Sequence, residues 1–506
     1  MRLFHFPMNI KVLFLGLLFF FVCVFVFSQD YNDESVFIIN SYNYNIKGIT
    51  RHYALDYRTE LFAGEEITGF SNFETFIQNK KQLLINERVL KDNVRIEYTV
   101  GEIEDGKYPV DLEIFAEDTW NIIALPYPKY DSNSGFSITI KARDYNFLGT
   151  MSALRFDIGY ARDGEGRNFF SLMLDSGIPF YLFGLNWHFD FDHNYTYHPD
   201  MEEHHYYKNT TGISVELPVK NTTLTVGFNE NLVINEENSD IDKPVYGNFQ
   251  SGLYMSSNPY VSWKIPTTLE IGSYGELTYT PKISAAFNHE ISTPLSDNRI
   301  GPFLGFSHSL GFGRIDWIGN FYRGYSAYIG NSLSYDFFKA NNDKEALSYN
   351  INFTGIAHFV FNDFLGLSSR LMYRQWFNTY NDSAGDALRG ILDKNIHADF
   401  IVSLNLDLPV RAFQIRPSEW FNNSKLKVFN FDIHTNPVID FGLFKYSEIH
   451  SSFGLDNFLV SGGLEIVIFP EFFRSLFFRI SLCFDLKEIQ NLANNYEIFL
   501  GMELHY

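Results

Sequence analysis

The chain has 506 residues, 18% of them aromatic (53 Phe, 31 Tyr), and a formal net charge of -21. That acidity argues against a nucleic-acid partner, whose phosphates it would repel. Beyond the N-terminal leader, no uninterrupted apolar run approaches the ~18 residues that a helical membrane span requires. Abundant rings without long apolar runs suit a barrel whose greasy outer positions alternate with lumen positions and whose interfaces carry aromatic girdles.

Residues 1–28 read as a secretory signal. Arg2 and Lys11 supply the positive start, the run from Val12 to Phe27 the apolar centre, and Ser28 a small exit residue. After cleavage Cys483 is the remaining cysteine, so the fold holds without an internal disulfide. Residues 35–119 form a small domain of mixed grammar. A strand over 36–49 precedes a short helix over 53–62, stopped by Ala63-Gly64. Ser71 and Glu74 then make a capping box for a second helix carrying Phe73, Ile77 and Leu84 at helical spacing. Strands over 94–100 and 110–116 follow, joined by a turn through Asp105-Gly106. Residues 120–134 read as a linker.

That order, with Ile46-Lys47-Gly48-Ile49-Thr50, Glu60-Leu61-Phe62-Ala63-Gly64-Glu65 and Asp111 to Glu117, resembles one POTRA domain. Such domains are the periplasmic modules that precede barrels of the BamA/TamA (bacterial surface antigen) superfamily. Physically, a module of this kind offers an exposed sheet edge on which an extended client chain can add as a further strand.

From 135 to 506 the chain is strands and turns. Leu185, Trp187, Phe189 and Phe191 oppose Asn186, His188, Asp190 and Asp192. Phe400, Val402, Leu404 and Leu406 oppose Ile401, Ser403, Asn405 and Asp407. Charges confined to one face are what a water-filled lumen permits and lipid forbids. The pattern yields about seventeen runs; the family uses sixteen strands, which implies one run split in two between Gly252 and Phe338. The final strand, 496–506, puts Tyr496, Ile498, Leu500, Met502, Leu504 and Tyr506 on one face, and closing strands of outer-membrane barrels end in this way. Its partner at the seam is expected at 137–144. The expected fold is therefore mainly β: a sixteen-stranded antiparallel transmembrane barrel behind one α+β POTRA domain.

Leu388-Arg389-Gly390-Ile391, inside the loop 378–395, resembles the Val/Ile-Arg-Gly-aromatic tip that the superfamily folds back into its own barrel, where the arginine meets an acid on the inner wall. Ile391 stands in place of the aromatic. Strand parity puts Asp440 in the lumen, within Val438-Ile439-Asp440-Phe441-Gly442, which resembles the family's aromatic-Asp-x-Gly strand. An Arg389–Asp440 salt bridge is the expected pin. Gly462-Gly463 through Phe469-Pro470 resembles the family's Gly-rich strand. His193, His198, His204 and His205 with Glu202 and Glu203 match no standard ligand spacing and read as a solvated loop tip rather than a metal site. Gly311-Phe312-Gly313 lacks the strand-then-helix setting of a dinucleotide loop.

No catalytic constellation, metal site or cofactor is expected. The resemblance implies an outer-membrane protein with a periplasmic N-terminal domain, which inserts or translocates unfolded client proteins across the lipid bilayer with periplasmic or lipoprotein accessory factors. A dedicated two-partner secretion pore, a passive porin and a surface-exposed adhesin or antigen are the alternatives.

Overall fold

A computed structural model describes residues 31, 33–131, 135–162, 166–200, 204–237, 249–271, 275–291, 301–341, 345–378, 384–391, 396–446, 454–488, 490 and 496–501. The expected signal segment lies outside them. The chain divides into two compact units, one of residues 1–43, 61–81 and 96–114, the other of 44–60, 82–95 and 115–506.

The first elements are β1 (Val36–Lys47), α1 (His52–Thr59), β2 (Glu66–Thr68), α2 (Phe70–Asn86), β3 (Arg95–Val100) and β4 (Lys107–Glu117). The four strands form one sheet in the order β2-β1-β4-β3. Phe37, Phe73, Ile77, Leu112 and Ile114 are buried, with Phe37 and Phe73 stacked 4.7 Å apart. Asp105 and Gly106 both have positive φ (47° and 80°), the backbone of a two-residue hairpin turn. Two local expectations change. Helix α1 ends at Thr59, because Glu60 turns left-handed (φ 49°) and its N–H closes onto Asp56 O. Ser71 is inside α2 rather than capping it: Phe73 N–H already donates to Gly69 O at 3.0 Å. The three-residue β2, pairing Val36 to Ile38 with Thr68 to Glu66, was too short to carry a period.

The barrel begins with β5 (Ile122–Asp131), β6 (Gly135–Asp144), β7 (Leu154–Arg162), β8 (Asn168–Leu182), β9 (Leu185–Tyr197), β10 (His205–Val219) and β11 (Thr222–Glu237). It continues with β12 (Phe249–Glu270), β13 (Glu276–Ile291), β14 (Phe303–Ile318), β15 (Phe321–Asp336), β16 (Leu347–Asn362) and β17 (Leu365–Phe377). The last segments are β18 (Phe400–Asp407), β19 (Val410–Ile415), β20 (Phe431–Lys445), β21 (Phe458–Pro470), β22 (Phe478–Asp485) and β23 (Tyr496–Gly501). These nineteen segments close into one antiparallel barrel, β23 lying against β5.

Strands β18 and β19 are two pieces of one stave. Ser368 pairs Asp407 and Leu365 pairs Val410 on an unbroken register, interrupted only at Leu408-Pro409. Eighteen staves result among the described residues, an even number as single-chain barrels require. The expected sixteen is thus corrected. Between 252 and 338 the strands β12, β13, β14 and β15 are each whole rather than one run split in two, and the additional strand lies elsewhere. It is β5, inside the presumed linker 120–134. Pro126 and Pro128 disguised it, since proline is depleted from strands.

Short turns gather at one end of the barrel: Phe183-Gly184, Lys220-Asn221 and Gly319-Asn320 each join two staves directly. Long connections gather at the other. Outward positions are exposed and apolar (Ile140, Ile158, Phe228, Ile283, Leu371, Ile480), whereas lumen positions of the later strands are buried and polar. No helix among the described residues is long and apolar enough to cross a membrane.

Candidate functional site: a loop tip bound to the inner wall

The site starts from strand parity. In β20 the buried set is Asp432, His434, Asn436, Val438, Asp440, Gly442 and Phe444, every second residue. Ser403 and Asn405 of β18, Ser461 and Glu465 of β21, and Arg479, Ser481 and Cys483 of β22 are buried on the same inner surface. Cross-strand register then sets the acids side by side. Asn405 pairs Asp440, which pairs Ser461, while Glu465 pairs Ser481 and Cys483 pairs Glu497.

Against this wall lies the tip Leu388-Arg389-Gly390-Ile391. A 3-10 turn over Ala384–Ala387 leads into it, and Leu388 N–H donates to Gly385 O. Arg389 is 6% exposed and Asp440 1%. Arg389 Nε donates to Asp440 Oδ2 (2.9 Å) and Nη2 to Asp440 Oδ1 (2.6 Å), a two-pronged contact. The Arg389 backbone N–H adds a third bond to Asp440 Oδ2 at 2.9 Å. Nη2 also reaches Asp407 Oδ1 at 2.6 Å, and Nη1 stands 3.3 Å from Glu465 Oε1. Glu465 is shared with Arg479, 3.0 Å away. The structure therefore brings Arg389 and Asp440 together within a cluster of three acids and two guanidiniums.

Neighbouring residues fix the tip's position. Gly390 has φ +79°, and a Cβ there would come within 2.7 Å of Phe484 N. Glycine is required both by the conformation and by the close approach. Gly390 N–H donates to Glu497 Oε2 at 2.9 Å, tying the tip to the closing strand β23. Arg479 lies 4.3 Å over the ring of Phe499, also on β23. Leu388 and Ile391 pack with Met372, Ala398, Ile401 and Phe444. A Cβ at Gly442 would meet Leu388 Cδ1 at 2.7 Å, so this glycine makes room for the tip. Where the family motif has an aromatic, Ile391 fills an apolar niche.

Sequence reasoning named Arg389 and Asp440 but not Asp407, Glu465, Arg479 or Glu497 as partners. The signal was present, since each falls on the polar face of its strand, but parity does not reveal which faces meet one loop. Of the seam residues, Tyr496, Ile498 and Leu500 lie in β23 beside β5; Met502, Leu504 and Tyr506 lie outside the described residues. The seam partner is 122–131 rather than 137–144, because the proline-bearing strand intervenes.

A second set of contacts sits at the short-turn mouth. Tyr57 of α1 bonds His188 Nε2 (3.0 Å) and donates to Glu216 Oε1 (3.3 Å), so a helix of the N-terminal segment reaches lumen residues of β9 and β10. Burial, aided by Glu216, pushes the Tyr57 phenol to about 12, leaving it a neutral donor. The histidines are held locally: His193 by Tyr207, His205 by Tyr195, and His204 by the carbonyl of His198. Glu202 and Glu203 lie outside the described residues, and among those described no three His, Cys, Asp or Glu side chains are poised around a metal.

Several solved barrels are similar to this chain. CdiB from Acinetobacter baumannii has 12% identity over 92% of this chain and 73% of its own, with a TM-score of 0.47. BamA from Haemophilus ducreyi lacking POTRA domains 1-3 has 14% over 92% and 83%, at 0.35. CdiB from Escherichia coli has 9% over 91% and 88%, at 0.40. No family model and no curated protein matches the chain.

Proposed function

We propose that this is an outer-membrane barrel that inserts or translocates other outer-membrane proteins, with residues 35–119 acting as a single periplasmic POTRA domain. The membrane placement is supported by the apolar outer band and by closure, because lipid leaves no open sheet edge satisfied. The observation that carries the function is the tip bound inside the barrel by Asp440, Asp407, Glu465 and Glu497. A passive pore has no use for a guanidinium latched to its own inner wall, and one of these four acids belongs to the closing strand.

The seam supports the same reading. Tyr145 N–H donates to Asn121 O, so odd-numbered residues of β5 aim their backbone groups at β6 and even-numbered ones at β23. Pro126 and Pro128 are even. Each removes a donor from the closing edge, on the side where a client strand would enter. In the proposed mechanism the client pairs first with β3, the longer edge strand of the N-terminal sheet, and then at the β23–β5 seam. No covalent step is involved.

A dedicated secretion pore is the second reading, favoured by the contacts of α1 with His188 and Glu216 at the mouth. Depletion followed by a census of outer-membrane proteins decides. Broad loss of barrels indicates general assembly, loss of one protein indicates dedicated secretion, and an unchanged census removes both.

A further inference from the structure

A cavity of about 480 Å³ opens at the short-turn mouth and is lined by six cationic side chains, among them Arg88, Arg411, Arg416 and Arg474. Their compensation is uneven. Arg416 is paired with Asp432 and Lys427 with Glu471, and Lys91 pairs with Glu117. Arg88 is 9% exposed, yet its guanidinium donates to Arg474 O, Gly319 O and Asn320 Oδ1, all neutral, and lies 4.2 Å over Trp317. Arg474 donates to Leu90 O at 2.6 Å. Among the described residues no carboxylate forms an ion pair with Arg88, Arg411 or Arg474; Asp92 lines the cavity and acts on the first and last only from a distance. At the rim stand exposed Trp120 (56%) and Phe472 (39%), stacked on each other.

We propose that this cavity binds a phosphate group, held by Arg88, Arg411 and Arg474, with a phospholipid headgroup as its source. A buried cation lacking a counter-charge is costly, and a planar guanidinium matches phosphate oxygens in pairs. Consistently, burial and the neighbouring Arg474 pull Arg88 down to about 9, a displacement that a docked anion would relieve. The aromatic rim favours the lipid source, since tryptophan settles at headgroup level. The phosphate site itself stands without the membrane reading; only the lipid source leans on it.

The test is calorimetry on the full chain in dodecyl maltoside, which carries no phosphate. Inorganic phosphate, short-chain phosphatidylglycerol and a peptide with a free C-terminal carboxylate are titrated separately. Saturable phosphate binding is expected, displaced by sulfate, and weakened about tenfold or more in Arg411→Gln/Arg474→Gln, the loss of roughly one charge-assisted contact. Heat-modifiable gel migration reports whether that variant is folded, and sulfate displacement in the unaltered chain tests the site without it. Tighter binding of the lipid than of phosphate assigns the headgroup; equal affinities keep the site and overturn the lipid source. Absent saturable phosphate binding, an unaffected folded variant, no displacement by sulfate, or a peptide carboxylate that binds more tightly than phosphate each overturns the site.

Discussion

Arg389 and Arg88 are both arginines with less than a tenth of their surface exposed, and they are compensated in opposite ways. Arg389 faces three carboxylates and shares one of them with Arg479. Arg88 finds only carbonyls, an amide oxygen and an aromatic face. A guanidinium satisfied within the chain is a latch, whose partners lose as much as it does when it leaves. One satisfied only by neutral groups retains attraction for an anion from outside.

The largest effect should come from breaking the latch. Arg389→Ala leaves Asp440 and Asp407 without their cation, while Glu465 keeps Arg479, a loss of about 3–5 kcal/mol from the docked tip. The tip then leaves the wall, and Cys483, 1% exposed and beneath Gly390, becomes open to maleimide. Unchanged labelling would sink the latch. Gly390→Ala should follow, at about 1–3 kcal/mol, since a left-handed φ and a backbone clash act together; labelling of Cys483 in that variant is the check. Asp440→Asn should cost less than Arg389→Ala, because Asp407 and Glu465 still face the arginine. If the two labelling rates match, Asp440 alone holds the tip. For the same reason, Arg389→Asp with Asp440→Arg should restore the tip only in part.

Smaller effects sharpen the contrast. Pro126→Ala with Pro128→Ala returns two donors to the seam, each worth about 0.5–1.5 kcal/mol net. Slower amide exchange across 496–501 is expected, and exchange as fast as before would show that the prolines do not weaken closure. Arg411→Gln at the mouth should change stability by no more than about 0.5 kcal/mol. A loss of several kcal/mol on heating or in denaturant would mean that this cation has a partner within the chain.

The fold was legible wherever alternation was long and clean. Leu185 to Asp192 and Phe400 to Asp407 lie in the strands their parity announced, and in the second Ile401, Ser403 and Asn405 alternate as the buried set. It failed at Leu125-Pro126-Tyr127-Pro128, where proline mimics a linker, and at Glu66–Thr68, where three residues carry no period. The helix start at Phe70 was misplaced for a different reason: Ser71 and Glu74 have capping-box spacing, yet the backbone already turns at Gly69.

By itself, then, the sequence determined the period of each stave, the polarity of its two faces and the presence of an arginine-glycine tip. These are local properties, set by which side chains neighbour one another along the chain. Only the tertiary structure decided that Asp407, Asp440, Glu465 and Glu497, from four staves, converge on one tip, and that Arg88 meets Arg474 with no carboxylate in an ion pair with either among the described residues. Register between strands and the closure of the barrel fix those encounters. Both depend on pairings between residues far apart in the chain, on which no local period bears.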